Sequence, residues 1–351
     1  MRKLRLLIIT IIIMLTISSI QNVFAQVSKK SLYLDLSKTF GFIMGQRFSL
    51  NRIKEEYPTL SIRAQKAELE FKVAFGVAEK NIEKTLRDLL KDKYTEYVAA
   101  MEKQIESTLM PQQTSQETAA QFLDGVESRA KGEIPSPMLE ILLNYQYQQS
   151  PVDELYRGFK TKYRTKGHPK AKGLDLQVEC AKSWSSREGN RPNVIQFFRS
   201  NNGRGPVFAL IMIRDLIKEA EGELTNQEVA TIKTLEGSKE LASELFSDSS
   251  LREMVNGMGM TNVHNITTKS IVLDGWPGTM LEFIGDQQRI DITMTMYNRL
   301  YIAIYKNYMI FLQCQVINSP DDTENTLNTM VAKFAPLFHF MANSLVIQSQ
   351  Y

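Results

Sequence analysis

The sequence contains little of the side-chain chemistry from which most active sites are built. Its 351 residues include only two cysteines and three histidines. The cysteines form no Cys-x-x-Cys pair and the histidines have no metal-ligand spacing, so no zinc or dithiol redox site is predicted. The Gly-x-Ser-x-Gly, His-Glu-x-x-His, Walker and Gly-x-Gly-x-x-Gly motifs are also missing. The sequence therefore predicts no catalytic residue, no metal site and no cofactor.

The two cysteines, Cys180 and Cys314, both lie on the apolar phase of a predicted strand. In an oxidising compartment they can form a disulfide bond. The alternative is that both are buried thiols that serve only packing. The sequence leaves both interpretations open.

Only one long apolar run is present, and it is shorter than the roughly 20 residues that span a bilayer. It extends from Leu6 to Ile20 and follows three basic residues, and a polar stretch after it leads to Val-Phe-Ala at 23–25. This order is typical of a secretory signal peptide. We expect residues 1–25 to be removed by cleavage between Ala25 and Gln26, which predicts a periplasmic or secreted protein.

An excess of positive charge is lacking once these residues are removed. Arg2, Lys3 and Arg5 account for three of the 42 basic residues, so the remaining 326 residues carry 39 basic and 39 acidic side chains. Nucleic-acid binders usually carry a concentrated basic surface. The balance of charge therefore gives no support to a nucleic-acid partner.

A helical pattern occupies residues 26–150. Apolar residues recur at steps of three and four, and the clearest stripe consists of Phe71, Phe75, Ala78, Ile82, Leu86 and Leu89. Such a stripe is typical of an amphipathic helix. Five or six helices packed on one another are predicted.

A basic linker is predicted over residues 151–173. From Arg157 to Lys172 the chain has seven basic residues and no acidic one. One interpretation is a solvated connector between domains. The other is a contact with anionic lipid headgroups or a polyanionic surface polymer through residues 157–172.

Residues 174–351 change to the period of strands. Leu174, Leu176, Val178 and Cys180 alternate with polar residues, and 194–198 and 207–213 are two further strands. After a helical segment, strands resume at Ile271, and Lys306-Asn307 connects two of them as a hairpin. Helices follow, with Pro336 beginning a short last one. The predicted fold class is α+β: an N-terminal α-helical domain, then a sandwich with an antiparallel sheet.

Several short motifs mark this part of the sequence. They are Lys-Ser-Trp at 182–184, Glu-Gly-Asn-Arg-Pro at 188–192, the predicted strand at 194–198, Asp-Gly-Trp-Pro-Gly at 274–278, the hairpin at 306–307 and Met-Ala-Asn-Ser-Leu at 341–345. With these motifs, residues 174–346 resemble the PsbP-like and DcrB-like superfamily, although Cys180-Ala181 stands where a proline often precedes the tryptophan. The resemblance implies an α/β/α sandwich that binds partners rather than catalysing a reaction.

The segment after the first strand is the candidate contact surface. It combines Trp184 with Arg187, Glu188 and Arg191, and tryptophan and arginine are enriched at interface hot spots. Trp184 is alternatively a lid on the core of the sheet.

The leading hypothesis for function is an exported, non-catalytic binding or assembly protein of the cell envelope. Its expected partner is an envelope or extracellular protein. One alternative is a hydrolase or small-ligand carrier with a site between the two domains, and another is a secreted factor that acts on another cell.

Overall fold

The protein folds into two compact units, which meet in the sequence between Phe159 and Lys160. The structure is a computed structural model that describes residues 29–112, 115–220, 222–289, 292–318 and 323–351. The predicted signal peptide and its cleavage site lie outside the described residues. Below, residues 29–159 are called the helical unit and residues 160–351 the sheet unit.

The described residues of the helical unit form two long helices and four shorter ones, and five of these lie within 26–150, where the sequence predicts five or six. Short 3-10 turns at Pro58–Leu60 and Lys91–Lys93 separate the first three. The helices are α1 (Lys29–Glu56), α2 (Ser61–Leu90), α3 (Tyr94–Leu109), α4 (Gln116–Ala130), α5 (Met138–Gln146) and α6 (Val152–Tyr156).

Helix α2 lies at the centre of this unit because its apolar stripe is buried from Phe71 to Leu86. Phe75, Ala78, Ile82 and Leu86 have no exposed surface. They pack with residues of α1, α4 and α5 in one hydrophobic core. Leu89, the last residue of the predicted stripe, is exposed.

The sheet unit begins with a small three-stranded sheet and continues into a large one. Its strands are β1 (Lys160–Arg164), β2 (Leu176–Ala181), β3 (Ser185–Glu188), β4 (Val194–Arg199), β5 (Val207–Asp215), β6 (Thr261–Leu273), β7 (Trp276–Arg289), β8 (Ile292–Tyr305), β9 (Tyr308–Ile317) and β10 (Val346–Ile347). Its helices are α7 (Leu216–Glu219), α8 (Asn226–Ile232), α9 (Leu235–Leu245), α10 (Asp248–Asn256) and α11 (Glu324–Asn343).

All pairings within both sheets are antiparallel. The small sheet has the order β1-β2-β10, and the large sheet has the order β3-β4-β5-β9-β8-β7-β6. The apolar run that forms β5 lies between β4 and β9, which explains why it has no polar alternation. The predicted two-residue turn at Lys306-Asn307 is confirmed, since Tyr305 pairs with Tyr308.

Helices cover both faces of the large sheet, which makes this unit an α/β/α sandwich. Along β8, Leu300, Ile302 and Ile304 pack in one core with residues of α9 and α10. The intervening Arg299 and Tyr301 contact α11 instead. Since successive side chains of a strand point to opposite faces, α9 and α11 lie on opposite sides of the sheet.

The prediction of a linker over residues 151–173 is wrong for most of its length, because these residues form regular secondary structure. Val152–Tyr156 forms helix α6, and Lys160–Arg164 pairs with β2. Phe159 packs against Phe75 in the core of the helical unit, whereas Lys160 already lies opposite Ala181. The change of unit therefore takes place within one peptide.

Strand β6 starts ten residues earlier than the sequence predicts. It begins at Thr261 instead of Ile271 and forms an edge of the large sheet. Leu273 is its only buried residue. Its register with β7 is irregular between Thr261 and His264 and again between His264 and Thr267.

The last helix is also longer than predicted. Pro336 lies inside α11 and does not begin a new helix. Proline lacks the N–H that would bond to the fourth preceding carbonyl, which costs stability in a helix interior. Leu337, Phe338 and Met341, which follow it, are fully buried. This burial holds the helix together across the proline.

Candidate functional site

Trp184, the aromatic residue of the predicted contact segment, lies in the core. Only 8% of its surface is exposed. Its ring centre is 6.3 Å from that of Phe334 on α11. This position agrees with the alternative that Trp184 is a lid on the core.

The charged residues of the same segment have partners of their own. Arg187 and Glu188 belong to β3, which pairs with β4. The guanidinium group of Arg187 lies 4.7 Å from the ring centre of Phe197, and Glu188 forms a 2.8 Å ion pair with Lys170. Arg191 lies in the turn before β4, where its carbonyl accepts a hydrogen bond from the Val194 amide. The four predicted residues therefore do not form one exposed surface.

Five of the seven basic residues of the stretch form ion pairs with acidic residues elsewhere in the sequence. Lys160 and Lys162 both contact Glu179, at 2.6 and 3.7 Å. Arg164 forms two parallel hydrogen bonds with Asp175, at 2.9 and 2.7 Å. Further ion pairs join Lys170 to Glu188 and Lys172 to Glu219. These pairs reduce the positive charge that 157–172 offers to an anionic surface.

Cys180 and Cys314 are both buried, and no disulfide bond joins them in the structure. They lie in β2 of the small sheet and β9 of the large sheet. Burial raises the pKa of the Cys314 thiol far above its usual value, which opposes its ionisation. This arrangement agrees with the buried-thiol alternative.

Thiol titration tests that assignment. The protein denatured without reductant is expected to release both thiols, Cys180 and Cys314, for reaction. The reduced and denatured protein provides the full reference value. Recovery of fewer thiols before reduction than after it would contradict the assignment.

A cluster of charged and polar side chains lies beneath α11 in the sheet unit. Arg299 on β8 donates to Oε1 of Glu282 on β7 through Nε at 2.7 Å, and its Nη2 lies 2.6 Å from the same oxygen. The Tyr297 hydroxyl also donates to Glu282. The Nη1 of Arg299 donates to the Ala335 carbonyl on α11 at 3.3 Å. Glu282, Tyr297 and Arg299 are called the buried triad below.

The electrostatics of the buried triad favour an ion pair over acid–base chemistry. Burial by itself raises the pKa of Glu282, but hydrogen bonds from Tyr297 and Arg299 lower it below the usual value. Burial and the bond to Glu282 both raise the pKa of Tyr297. Glu282 is therefore ionised and Tyr297 protonated at neutral pH. A group that transfers protons near neutrality needs a pKa closer to 7.

Within the described ranges, no cluster of three or more His, Cys, Asp and Glu side chains is placed to hold a metal ion. None of the helices in those ranges is long and apolar enough to cross a membrane.

The helical unit contains a groove between α1 and α2. Its volume is about 380 Å³, and its lining includes the apolar residues Ile43, Leu50 and Phe71. An ion pair between Arg47 and Glu79 joins its walls, and Lys54 of α1 lies 2.8 Å from Glu68 in the lining. The volume lies within the range usual for small-molecule sites.

A second surface of α2 carries exposed apolar residues. Ile62 is 83% exposed, Leu69 60%, Val73 75% and Val77 49%. At about 100° per residue, Val73 lies about 200° around the helix from the buried Phe71. These residues and the exposed basic residues between and after them form a line with steps of three and four. This line, called the outer ridge below, consists of Ile62, Lys66, Leu69, Val73, Val77, Lys80, Lys84 and Arg87.

The outer ridge contains no acidic residue. Its N-terminal part is mainly apolar, and its C-terminal part is basic from Lys80 to Arg87. The acidic residues of α2 lie on its flanks, where Glu70, Glu83 and Asp88 contact Lys66, Arg87 and Lys84. Helix α2 is therefore apolar on two opposite sides, of which the core covers one.

Sequence reasoning missed the outer ridge. The buried stripe alone is enough to predict α2 as a helix. The exposed apolar residues of the same helix were therefore not needed for the prediction and received no separate explanation. The available signal was the spacing of Ile62, Leu69, Val73 and Val77, which is out of phase with the core stripe.

The comparisons with known proteins identify no family. No protein-family model matches the sequence, and no curated protein matches it either. A solved structure similar to the chain is that of LpqN of Mycobacterium tuberculosis, described as involved in cell envelope biogenesis. The match has 9% sequence identity and a TM-score of 0.29, and covers 56% of this chain and 96% of that one. A likeness at this level establishes neither a shared fold nor a shared function.

Proposed function

We propose that the protein is exported and acts, without catalysis, as a binding or assembly protein of the cell envelope. The observation that supports this proposal is the outer ridge of α2. Four apolar side chains lie exposed along one line of a helix whose opposite side fills the core. Exposed apolar residues scattered singly are normal, whereas a contiguous set marks an interaction surface.

The second support is the chemistry of the buried triad. Its three side chains satisfy one another and a backbone carbonyl, and the pKa values of Glu282 and Tyr297 are shifted further from neutrality, whereas a general acid or base works best with a pKa near the working pH. The triad therefore joins β7, β8 and α11 and has a structural role.

The groove of the helical unit favours a small-ligand carrier as a second candidate. Its apolar lining of Ile43, Leu50 and Phe71 suits an apolar group of a ligand. This site differs from the sequence-based alternative, which places the ligand between the two domains.

The proposed function is tested by sedimentation with isolated envelope fractions. The double variant Leu69→Gln/Val73→Gln is expected to bind at least about tenfold more weakly than the unmodified protein, since hot-spot residues each contribute about 1–2 kcal/mol. Val272→Gln is the matched control, because Val272 is an exposed valine of β6 in the sheet unit.

The outcome depends on the comparison of these variants. Weaker sedimentation of the double variant alone supports binding through α2. Equal sedimentation of all three proteins contradicts it. Circular dichroism verifies that the double variant retains its helices, which is expected because both side chains are exposed.

A further inference from the structure

The charge of the outer ridge indicates what kind of surface it contacts. Its exposed side chains are apolar or basic, and acidic residues lie only on the flanks of α2. Three of the flanking acids pair with ridge residues, at 3.7 Å for Lys66–Glu70, 3.0 Å for Arg87–Glu83 and 2.8 Å for Lys84–Asp88. Exposed pairs between residues four apart contribute little stability, so an anionic surface can replace them.

One basic residue of the outer ridge, Lys80, is available without breaking such a pair. In the described part of the chain it has no carboxylate within ion-pair distance, and it also borders the groove between α1 and α2. Lys80 belongs to the ridge and follows the last apolar residue, Val77, by three positions. The apolar and basic parts of the ridge are therefore continuous.

The dimensions of the ridge favour an extended surface over a pocket-forming partner. From Ile62 to Arg87 it is about 38 Å long at 1.5 Å per residue. A second copy of the chain is a poorer occupant, because a parallel arrangement places Lys80, Lys84 and Arg87 against the same basic residues. An antiparallel copy overlaps apolar residues only between Ile62 and Val77, about 22 Å of helix.

We infer that the outer ridge of α2 binds an anionic lipid surface, with its apolar residues entering the headgroup boundary and its lysines contacting the lipid phosphates. This inference rests on the proposed function and specifies its partner. Apolar side chains beside lysines are the composition by which helices bind such surfaces in the plane of the membrane. Each basic residue near an anionic surface strengthens binding about fivefold.

Vesicle co-sedimentation tests the inference. The full-length mature protein is mixed with vesicles of phosphatidylcholine alone or with about 30% phosphatidylglycerol, a content chosen to give an anionic surface. Binding is expected only to the anionic vesicles, and added salt is expected to weaken it because screening shortens the range of the attraction.

Two variants separate the contributions of the ridge. Lys80→Gln/Lys84→Gln is expected to lower the affinity about 25-fold, and Leu69→Gln/Val73→Gln to lower it by at least about tenfold. Lys162→Gln/Lys166→Gln is the control, because it removes the same charge from exposed positions of the sheet unit. A larger loss in this control would overturn the inference and assign lipid binding to the basic stretch.

The remaining outcomes distinguish the inference from the proposed function. If anionic vesicles are not bound, but Leu69→Gln/Val73→Gln still weakens envelope binding, the lipid inference fails and the ridge binds a protein. If neither vesicles nor envelope fractions respond to the ridge variants, both proposals fail. Equal binding to neutral and anionic vesicles also overturns the inference.

Discussion

Replacing Arg299 by methionine is expected to lower the free energy of unfolding by about 2–3 kcal/mol, less than the roughly 3–5 kcal/mol for one member of a fully buried ion pair, because the side chains of Arg299 and Glu282 are 13% and 20% exposed. The change leaves Glu282 ionised beside Tyr297 without its cationic partner and removes the hydrogen bond to the Ala335 carbonyl. Equilibrium unfolding in urea, followed by circular dichroism, measures the difference.

The double variant Glu282→Gln/Arg299→Met provides the control for this experiment. Once the carboxylate is also neutralised, no unpaired charge remains buried, so the loss is expected to be smaller than for Arg299→Met alone. A single variant that unfolds like the unmodified protein would show that the buried triad contributes no stability.

The same cluster predicts how stability depends on acidity. The pKa of Glu282 is lower in the folded protein than its ordinary value, so the folded state favours the ionised form. Its contribution is fully present above the pKa of the unfolded chain, roughly 4.3, and is lost as the pH falls through the lower folded value. The difference in stability between the unmodified protein and Glu282→Gln should therefore shrink in this acidic range.

Replacing Trp184 by alanine is expected to cost about 3–5 kcal/mol, the range measured for large aromatic residues in cores. Trp184 is almost fully buried and packs against Phe334 of α11. Thermal unfolding and urea titration measure the loss. If Trp184 is instead a contact residue, stability should remain unchanged and envelope binding should fall.

Arg187→Ala is the neighbouring control. Arg187 is exposed and contacts the ring of Phe197. Surface substitutions usually change stability by no more than about 0.5 kcal/mol. Comparable losses in both variants would argue that strand β3 as a whole, and not the indole ring, determines the effect.

The buried elements of the fold were predictable because burial imposes a period on the sequence. The stripe through Phe75 and Ile82 predicted α2, and the alternation through Leu176 and Val178 predicted β2. The uninterrupted apolar run beginning at Val207 predicted a strand, and β5 forms there with neighbours on both sides.

Elements without a buried face were not predictable in this way. The first ten residues of β6 contain no buried side chain, so no alternation of apolar and polar residues marks them as a strand. Pro336 indicated a helix boundary by local rules, but the burial of Leu337 and Phe338 outweighs the lost hydrogen bond. In both places, tertiary packing decides the structure.

The same difference between local sequence and tertiary packing applies to the candidate site. Sequence composition favoured Trp184 and Arg187 as contact residues, because these types are common at interfaces, but it contains no information on which of them the core covers. The ion pairs that neutralise the basic stretch join Arg164 to Asp175 and Lys172 to Glu219. Such pairings depend on the register of β1 with β2 and on the position of α7.

The irregular edge of the large sheet has a consequence for the behaviour of the protein in concentrated solution. An exposed edge strand offers unpaired backbone groups to other molecules and is a common origin of aggregation. In β6 the two interruptions before Thr267 leave a regular ladder with β7 only from Thr267 to Leu273. Within this short segment Lys269 is exposed, and a charged side chain discourages the approach of another strand. The edge is thus protected against edge-to-edge pairing with strands of other molecules.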